Sequence, residues 1–136
     1  MVKMKAVYEG DLHCRLTHGP SGSQIETDAP VDNMGKGEKF SPTDLLAASL
    51  GSCMLTVMGI AAQRHSIDLK GTTVEIEKEM VMQPVRRIGK VAVRFLMAPG
   101  IAADKRPMLE RAAAACPVRK SIGHEVEMPV SFEYPD

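Results

Sequence analysis

Hydrophobic and polar residues alternate over three short stretches near the N-terminus, which predicts β-strands at residues 3–9, 13–18 and 23–27. A Gly-Pro-Ser-Gly cluster at residues 19–22 separates the second stretch from the third and predicts a turn. Residues 28–40 contain Pro30, Asn33, Gly35 and Gly37, so we expect a loop there. The N-terminal part of the chain therefore predicts a small β-sheet followed by a loop.

The strongest helix signal in the chain comes next. Ser41 is a favourable N-cap residue, Pro42 takes the first helical position, and Asp44 follows three residues after the cap. The predicted helix extends to about His65. Its apolar residues surround most of its circumference, so we expect it to be buried. Its longest apolar stretch, residues 45–62, is interrupted by hydroxyl side chains and is slightly short for crossing a bilayer.

The second half of the chain predicts more strands and two shorter helices. Residues 73–82 and 90–97 alternate in polarity and carry glutamates and basic residues respectively, which favours an antiparallel hairpin with cross-strand charge pairs. Helices are predicted for residues 104–115 and 117–122, and a last strand for residues 125–133. The order β-β-β-α-β-β-α-α-β indicates an α+β fold in a single domain, with mainly antiparallel sheet around one long buried central helix.

Composition and charge argue against binding to nucleic acid or to a membrane surface. The 136 residues include 17 basic and 17 acidic side chains, so no excess of positive charge attracts nucleic acid or an anionic membrane. No apolar signal segment follows the first five residues, and we expect a cytoplasmic protein. The ten methionines suit an adaptable apolar core or pocket.

The cysteines are the candidate chemical residues. Three cysteines at wide spacings do not fit a structural disulfide framework, and in a reducing compartment a disulfide is more often catalytic or redox-sensing. Cys116 precedes Pro117 at or beside the start of a short helix, where unpaired N–H groups favour a thiolate. Cys53 lies in the apolar helix, where a thiol is often only a small buried side chain. Two such thiols suffice for peroxide reduction if they are neighbours, which the residues alone leave open.

Two motifs add a resemblance to a known family. The sequence SPTDLLAASLGSCM at residues 41–54 resembles the first cysteine motif of the OsmC/Ohr family, and AACPVRKS at residues 114–121 resembles its Cys-Pro-Val element. The resemblance covers nearly the whole chain and implies an intertwined homodimer with active sites at the subunit interface. It implies reduction of organic hydroperoxides, with Cys53 attacking the peroxide and Cys116 resolving. The electrons would come from an external thiol or dithiol reductant, with no bound cofactor.

The chain departs from the family pattern at two positions. Family members carry a glutamate just after the proline of the first motif, where this chain has Thr43, and Asp44 is the adjacent carboxylate. They also use an arginine from the N-terminal hairpin to stabilise the thiolate. That position falls near Asp11 here, and Arg15 is the nearest candidate. Whether Asp44 and Arg15 replace the family's pair is left open by the sequence.

The remaining cysteine and the histidines indicate no second chemical site. Cys14 lies beside His13, but no CxxC or HxxxH spacing is present, so we expect no metal site. His65 is expected to supply a favourable charge at the C-terminus of the long helix, and His124 to be a solvated turn residue. A binding module for an apolar ligand and a thiol redox sensor are the alternative functions, and catalytic turnover of peroxide separates the peroxidase from both.

Overall fold

The computed structural model describes residues 1–135, which form two compact units, one of residues 1–46 and one that begins at Ala47. In the first unit, strands β1 (Met4–Tyr8), β2 (His13–His18) and β3 (Gln24–Asp28) form an antiparallel sheet in the order β1-β2-β3. The three predicted N-terminal strands are therefore confirmed to within one or two residues. A short 3₁₀ helix, Val31–Asn33, follows β3 in the predicted loop.

The first unit has no apolar core of its own. Its buried residues are Thr27, Asp28 and Ser41, all of them polar, and every residue of β1 is exposed. Val7 and Ile25 are 46% and 49% exposed. A three-stranded sheet needs a covered hydrophobic face for stability, so the apolar side chains of this sheet still lack the burial that a stable sheet requires.

Helix α1 (Pro42–Arg64) begins and ends within one residue of its predicted bounds. It starts with a capping box, because the Asp44 N–H donates to Ser41 Oγ at 3.0 Å and the Ser41 N–H donates to Asp44 Oδ2 at 2.9 Å. In the single chain the helix is buried along one face, which consists of Ala47, Leu50, Gly51, Met54, Met58 and Ala62. The opposite face is not buried, which contradicts the prediction of a helix that is buried around most of its circumference.

That opposite face carries Leu46 and Ile60, which are 42% and 47% exposed. At 23 residues, α1 is long and apolar enough to cross a bilayer by length and composition, contrary to the estimate from the apolar stretch alone. A core helix of a soluble protein meets the same criteria, and the buried face of α1 packs into the core of the second unit. The helix length is therefore weak support for a membrane span.

The second unit contains the remaining elements. Strands β4 (Thr73–Val81) and β5 (Arg87–Leu96) form the predicted antiparallel hairpin, and β6 (Val130–Glu133) pairs with β5 in parallel. The predicted last strand was longer than the one observed, and its parallel pairing could not be deduced from its sequence. Helices α2 (Arg106–Ala114) and α3 (Pro117–Ser121) lie between β5 and β6 in the chain.

Charge pairs and close packing join these elements. Arg94 on β5 donates to Glu75 on β4 and to Glu133 on β6, each at 2.8 Å, as the predicted cross-strand pairing requires. At Gly51 the backbone of α1 approaches β4 so closely that an added Cβ would lie 2.5 Å from Ile76 Cδ1. The core also contains buried residues of β5, of α2 and of the segments that follow each of them: Ile88, Val91, Val93, Phe95, Met97, Ile101, Leu109, Ala113 and Cys116.

Candidate functional site

The two motif cysteines lie on different elements of the second unit. Cys53 is on α1 and is half-buried beside the core. Cys116 is fully buried and is the N-cap of α3, with an extended backbone conformation (φ −60°, ψ 132°) that proline at the next position favours. Its sulfur accepts a hydrogen bond from the backbone N–H of Arg119 at 3.3 Å. The local sequence around Cys116 thus places its sulfur at the start of α3, as predicted.

The fold brings these two thiols together. The Cys53 and Cys116 side chains lie close enough to interact, since Cys53 packs against the core that contains Cys116, although the two residues are far apart in the chain. Both thiols are free. Adjacent thiols can condense to a disulfide once one of them has been oxidised to a sulfenic acid. The geometry therefore supplies the adjacency that the sequence left open.

The surroundings of Cys116 make it a weaker acid than its helix position suggested. Burial raises the pKa of the Cys116 thiol, and the neighbouring Cys53 side chain raises it further. The backbone N–H groups of Arg119 and Val118 oppose this shift without reversing it. Burial therefore opposes the thiolate that the helix start favours at Cys116, because the loss of hydration outweighs two hydrogen bonds from backbone N–H groups.

Asp44, the candidate replacement for the family's glutamate, has a structural role in the first unit. Its carboxylate accepts the backbone N–H of Ser41 and completes the capping box of α1. Thr43, which stands at the glutamate position itself, has its hydroxyl 3.1 Å from Ser41 Oγ. The first turn of α1 is therefore organised around its own N-cap.

Arg15, the candidate for the family's arginine, is paired with carboxylates of its own sheet. Its Nε donates to Glu9 Oε2 at 3.3 Å, and its Nη2 donates to Glu26 Oε1 at 3.2 Å. Asp11 lies in the turn between β1 and β2 and has a positive φ of 51°. In this conformation the guanidinium charge of Arg15 is compensated locally.

A cluster around His13 was missed by the sequence analysis. The Nδ1 atom of His13 lies 2.6 Å from Asp28 Oδ1, and its Nε2 atom lies 3.2 Å from Glu26 and 3.4 Å from Glu9. The hydrogen bond to Asp28 is the largest cause that raises the pKa of His13, and the same bond lowers the pKa of Asp28. The cluster forms because His13 pairs with Asp28 across β2 and β3. That pairing can be recognised only when the register of the two strands is known.

The same cluster bears on metal binding, which the sequence did not lead us to expect. Glu9, His13 and Glu26 present ligand atoms within 4.8 Å of one another, a spacing that could hold a metal ion. In this conformation the His13 ring and the guanidinium of Arg15 hydrogen-bond to those carboxylates. His13 and Arg15 therefore already pair with the carboxylates of Glu9 and Glu26.

Comparison with known proteins adds to this geometry. The family model described as OsmC-like protein matches residues 35–131. A candidate osmotic stress induced and detoxification response protein from Psychrobacter arcticus is 44% identical, with a TM-score of 0.92 over 98% of this chain and 96% of that chain. No curated protein matches the sequence.

More distant solved structures share the fold. An organic hydroperoxide resistance protein OsmC from Legionella pneumophila is 20% identical, with a TM-score of 0.76 over 98% of this chain and 96% of that chain. The organic hydroperoxide resistance protein OhrB of Bacillus subtilis is 18% identical, with a TM-score of 0.69 over 98% of both chains. At these identities the likeness concerns the fold alone.

Proposed function

Because the chain belongs to the OsmC-like protein family, we propose that it detoxifies organic hydroperoxides as a thiol-dependent peroxidase. The observation that carries this proposal is the contact between Cys53 and Cys116. Two similar folds are named for organic hydroperoxide resistance, which supports a peroxide substrate. The whole chain would act as one OsmC-like domain in the cytoplasm.

In the proposed cycle Cys53 attacks the peroxide and Cys116 resolves. The Cys53 thiolate forms an S–O bond with one peroxide oxygen, the O–O bond breaks, and the alkoxide takes up a proton and leaves as an alcohol. The Cys116 thiol loses its proton and attacks the sulfenic sulfur, which forms the disulfide and releases water. An external dithiol then reduces the disulfide by thiol–disulfide exchange, so no bound cofactor is needed.

The different environments of the two thiols support these roles. Cys53 is half-buried, whereas Cys116 is fully buried with a raised pKa, which favours the thiol form until the sulfenic acid appears beside it. A resolving thiol needs proximity more than acidity, because its target is already a strong electrophile. Cys116 therefore suits the second step better than the first.

We further propose that the protein acts as a homodimer. The first unit lacks a buried apolar residue, and the outer face of α1 carries the exposed Leu46 and Ile60. A second copy could cover both surfaces, since apolar area removed from water contributes roughly 25 cal/mol per Å². This assembly would also bury α1 all round, as its composition suggests.

The decisive experiment follows the thiols directly. One equivalent of cumene hydroperoxide added to the fully reduced protein should remove two hydrogens from the intact mass, and peptide mapping should identify a Cys53–Cys116 bridge. The Cys116→Ser variant should instead stop at a sulfenic or more oxidised Cys53. The Cys14→Ser variant is the matched control and should form the bridge as the parent does.

Two outcomes would contradict the proposal. Thiols that stay reduced under excess hydroperoxide would exclude peroxidase chemistry, and a bridge that includes Cys14 would exclude the assigned pair. Steady-state consumption of cumene hydroperoxide with dithiothreitol separates a peroxidase from a redox sensor, because a sensor forms the disulfide without sustained turnover.

A further inference from the structure

A concave cleft of about 510 Å³ opens on the second unit beside α3. Ile122, Val126 and Met128 contribute half-buried apolar side chains to its lining. Small-molecule sites in proteins have volumes of roughly 300–1,000 Å³ and are lined mainly by apolar side chains with a few polar groups. The cleft therefore has the size and apolar surface that a small organic ligand requires.

Basic side chains also line this cleft. Arg119 and Lys120 belong to α3, and His124 follows in the turn before β6. Among the residues that the structure describes, no carboxylate lies within ion-pair distance of these three side chains. Arg94, by contrast, is held by two carboxylates on neighbouring strands. The charges of Arg119 and Lys120 are therefore available to a ligand.

We propose that this cleft binds a small amphipathic anion. Its carboxylate, sulfonate or phosphate group would contact Arg119 and Lys120, and its hydrocarbon part would lie against Ile122, Val126 and Met128. A neutral apolar ligand would leave both cations without a counter-charge, whereas a small hydrophilic anion would leave the apolar surface in water. An amphipathic anion matches both features of the cleft at once.

A carboxylate lies beside one of the lining residues. The Glu125 carboxylate lies against Gly123, which also lines the cleft. A bound anion would be repelled by this carboxylate. Replacement of Arg119 and Lys120 should therefore weaken anion binding, and replacement of Glu125 should strengthen it.

Anion binding in the cleft does not depend on the thiol chemistry. The cleft is next to Cys116 in the chain, since Ala114 and Arg119 both line it, but Cys116 itself is buried and is not part of the lining. Anion binding would persist in a Cys53→Ser/Cys116→Ser variant. Failure of the peroxidase proposal and failure of this one can therefore be distinguished.

The test is an ¹H–¹⁵N NMR titration of the reduced full-length protein with octanoate and, in parallel, with octan-1-ol. Octanoate should cause saturable shifts of the amides of residues 119–128, and the neutral alcohol should bind at least about tenfold more weakly, because hydrogen bonds to charged groups contribute about 1.5–3 kcal/mol. Added salt should weaken the binding of octanoate.

Charge variants locate the site. Arg119→Gln/Lys120→Gln should weaken octanoate binding roughly tenfold or more, and Glu125→Gln should strengthen it about twofold to threefold. The matched control is Lys70→Gln/Lys105→Gln, which removes the same charge from exposed positions outside the cleft and should bind octanoate as the parent does. Spectral dispersion of each variant checks that it is folded.

The proposal would be overturned by the absence of saturable shifts with octanoate, by equal binding of octanoate and octan-1-ol, or by an equal loss of binding in the control variant. Shifts confined to residues outside 119–128 would likewise place the anion elsewhere and exclude this cleft.

Discussion

Replacement of Asp44 by alanine tests whether this residue stabilises the fold or takes part in the peroxidase chemistry. Asp44 is the carboxylate nearest in sequence to the family's glutamate position, yet its Oδ2 accepts the Ser41 N–H at 2.9 Å and completes the capping box. Ser41 is only 1% exposed, so its N–H would find little water after the substitution. We expect Asp44→Ala to destabilise the protein while each folded molecule keeps its peroxidase rate.

The size of this effect follows from the bonds that are lost. Loss of a side-chain cap costs about 0.5–2 kcal/mol, and loss of an acidic group from the first helical turn costs about a further 0.3–1 kcal/mol. We therefore expect a decrease of about 1–3 kcal/mol in the free energy of unfolding. For a protein of 136 residues, at about 2.1 cal/mol/K of unfolding entropy per residue, each kcal/mol lowers Tm by about 3–4 °C.

The assay combines urea denaturation, followed by circular dichroism, with steady-state turnover of cumene hydroperoxide at 25 °C. Asp44→Asn is the matched control, because its amide oxygen can still accept the Ser41 N–H while the charge is removed. It should lose less stability than Asp44→Ala. The reasoning is refuted if Asp44→Asn keeps the parent's stability but loses most of its turnover, since that would assign Asp44 to the chemistry.

Two further predictions concern the His13 cluster and the outer face of α1. The pKa of His13 is raised from 6.5, so its stabilising effect is complete below about that pH and is lost as pH rises through the folded-state value. The pKa of Asp28 is lowered from 3.8, so its effect is lost as pH falls through its folded-state value. The difference in urea midpoint between the parent and His13→Gln should therefore shrink between pH 6 and pH 9, and a constant difference would refute the assignment. Ile60→Glu places a charge on the proposed dimer surface and should shift sedimentation from dimer to monomer, whereas Lys105→Glu, at an exposed position outside α1, should not; a parent protein that sediments as a monomer would contradict the dimer.

Local signals along the chain were sufficient for most of the elements. Ser41, Pro42 and Asp44 predict the start of α1 to the residue, because capping depends only on groups within one helical turn. The Cys116-Pro117 pair predicts the break between α2 and α3 for the same reason. The alternation in β4 and β5 predicts the hairpin and its charge pairs.

Contacts between distant residues could not be predicted in this way. The parallel pairing of β6 with β5 depends on how the chain returns to the sheet, and the His13 cluster depends on the register of β2 with β3. The exposed outer face of α1 was also unexpected, because composition measures how apolar a helix is but not how many neighbours are present to cover it.

For the cysteines, too, some features follow from the local sequence and others only from the tertiary structure. The sequence by itself determined the element that carries each thiol and, through the two motifs, the family resemblance that the OsmC-like match confirms. Only the tertiary structure decided that Cys53 and Cys116 are in contact and that Cys116 is buried enough for its pKa to rise. The physical reason is the distance along the chain over which each effect acts. Capping and periodicity depend on residues a few positions apart, whereas the contact between the thiols and the desolvation of Cys116 depend on the packing of α1, α2 and α3 around one core.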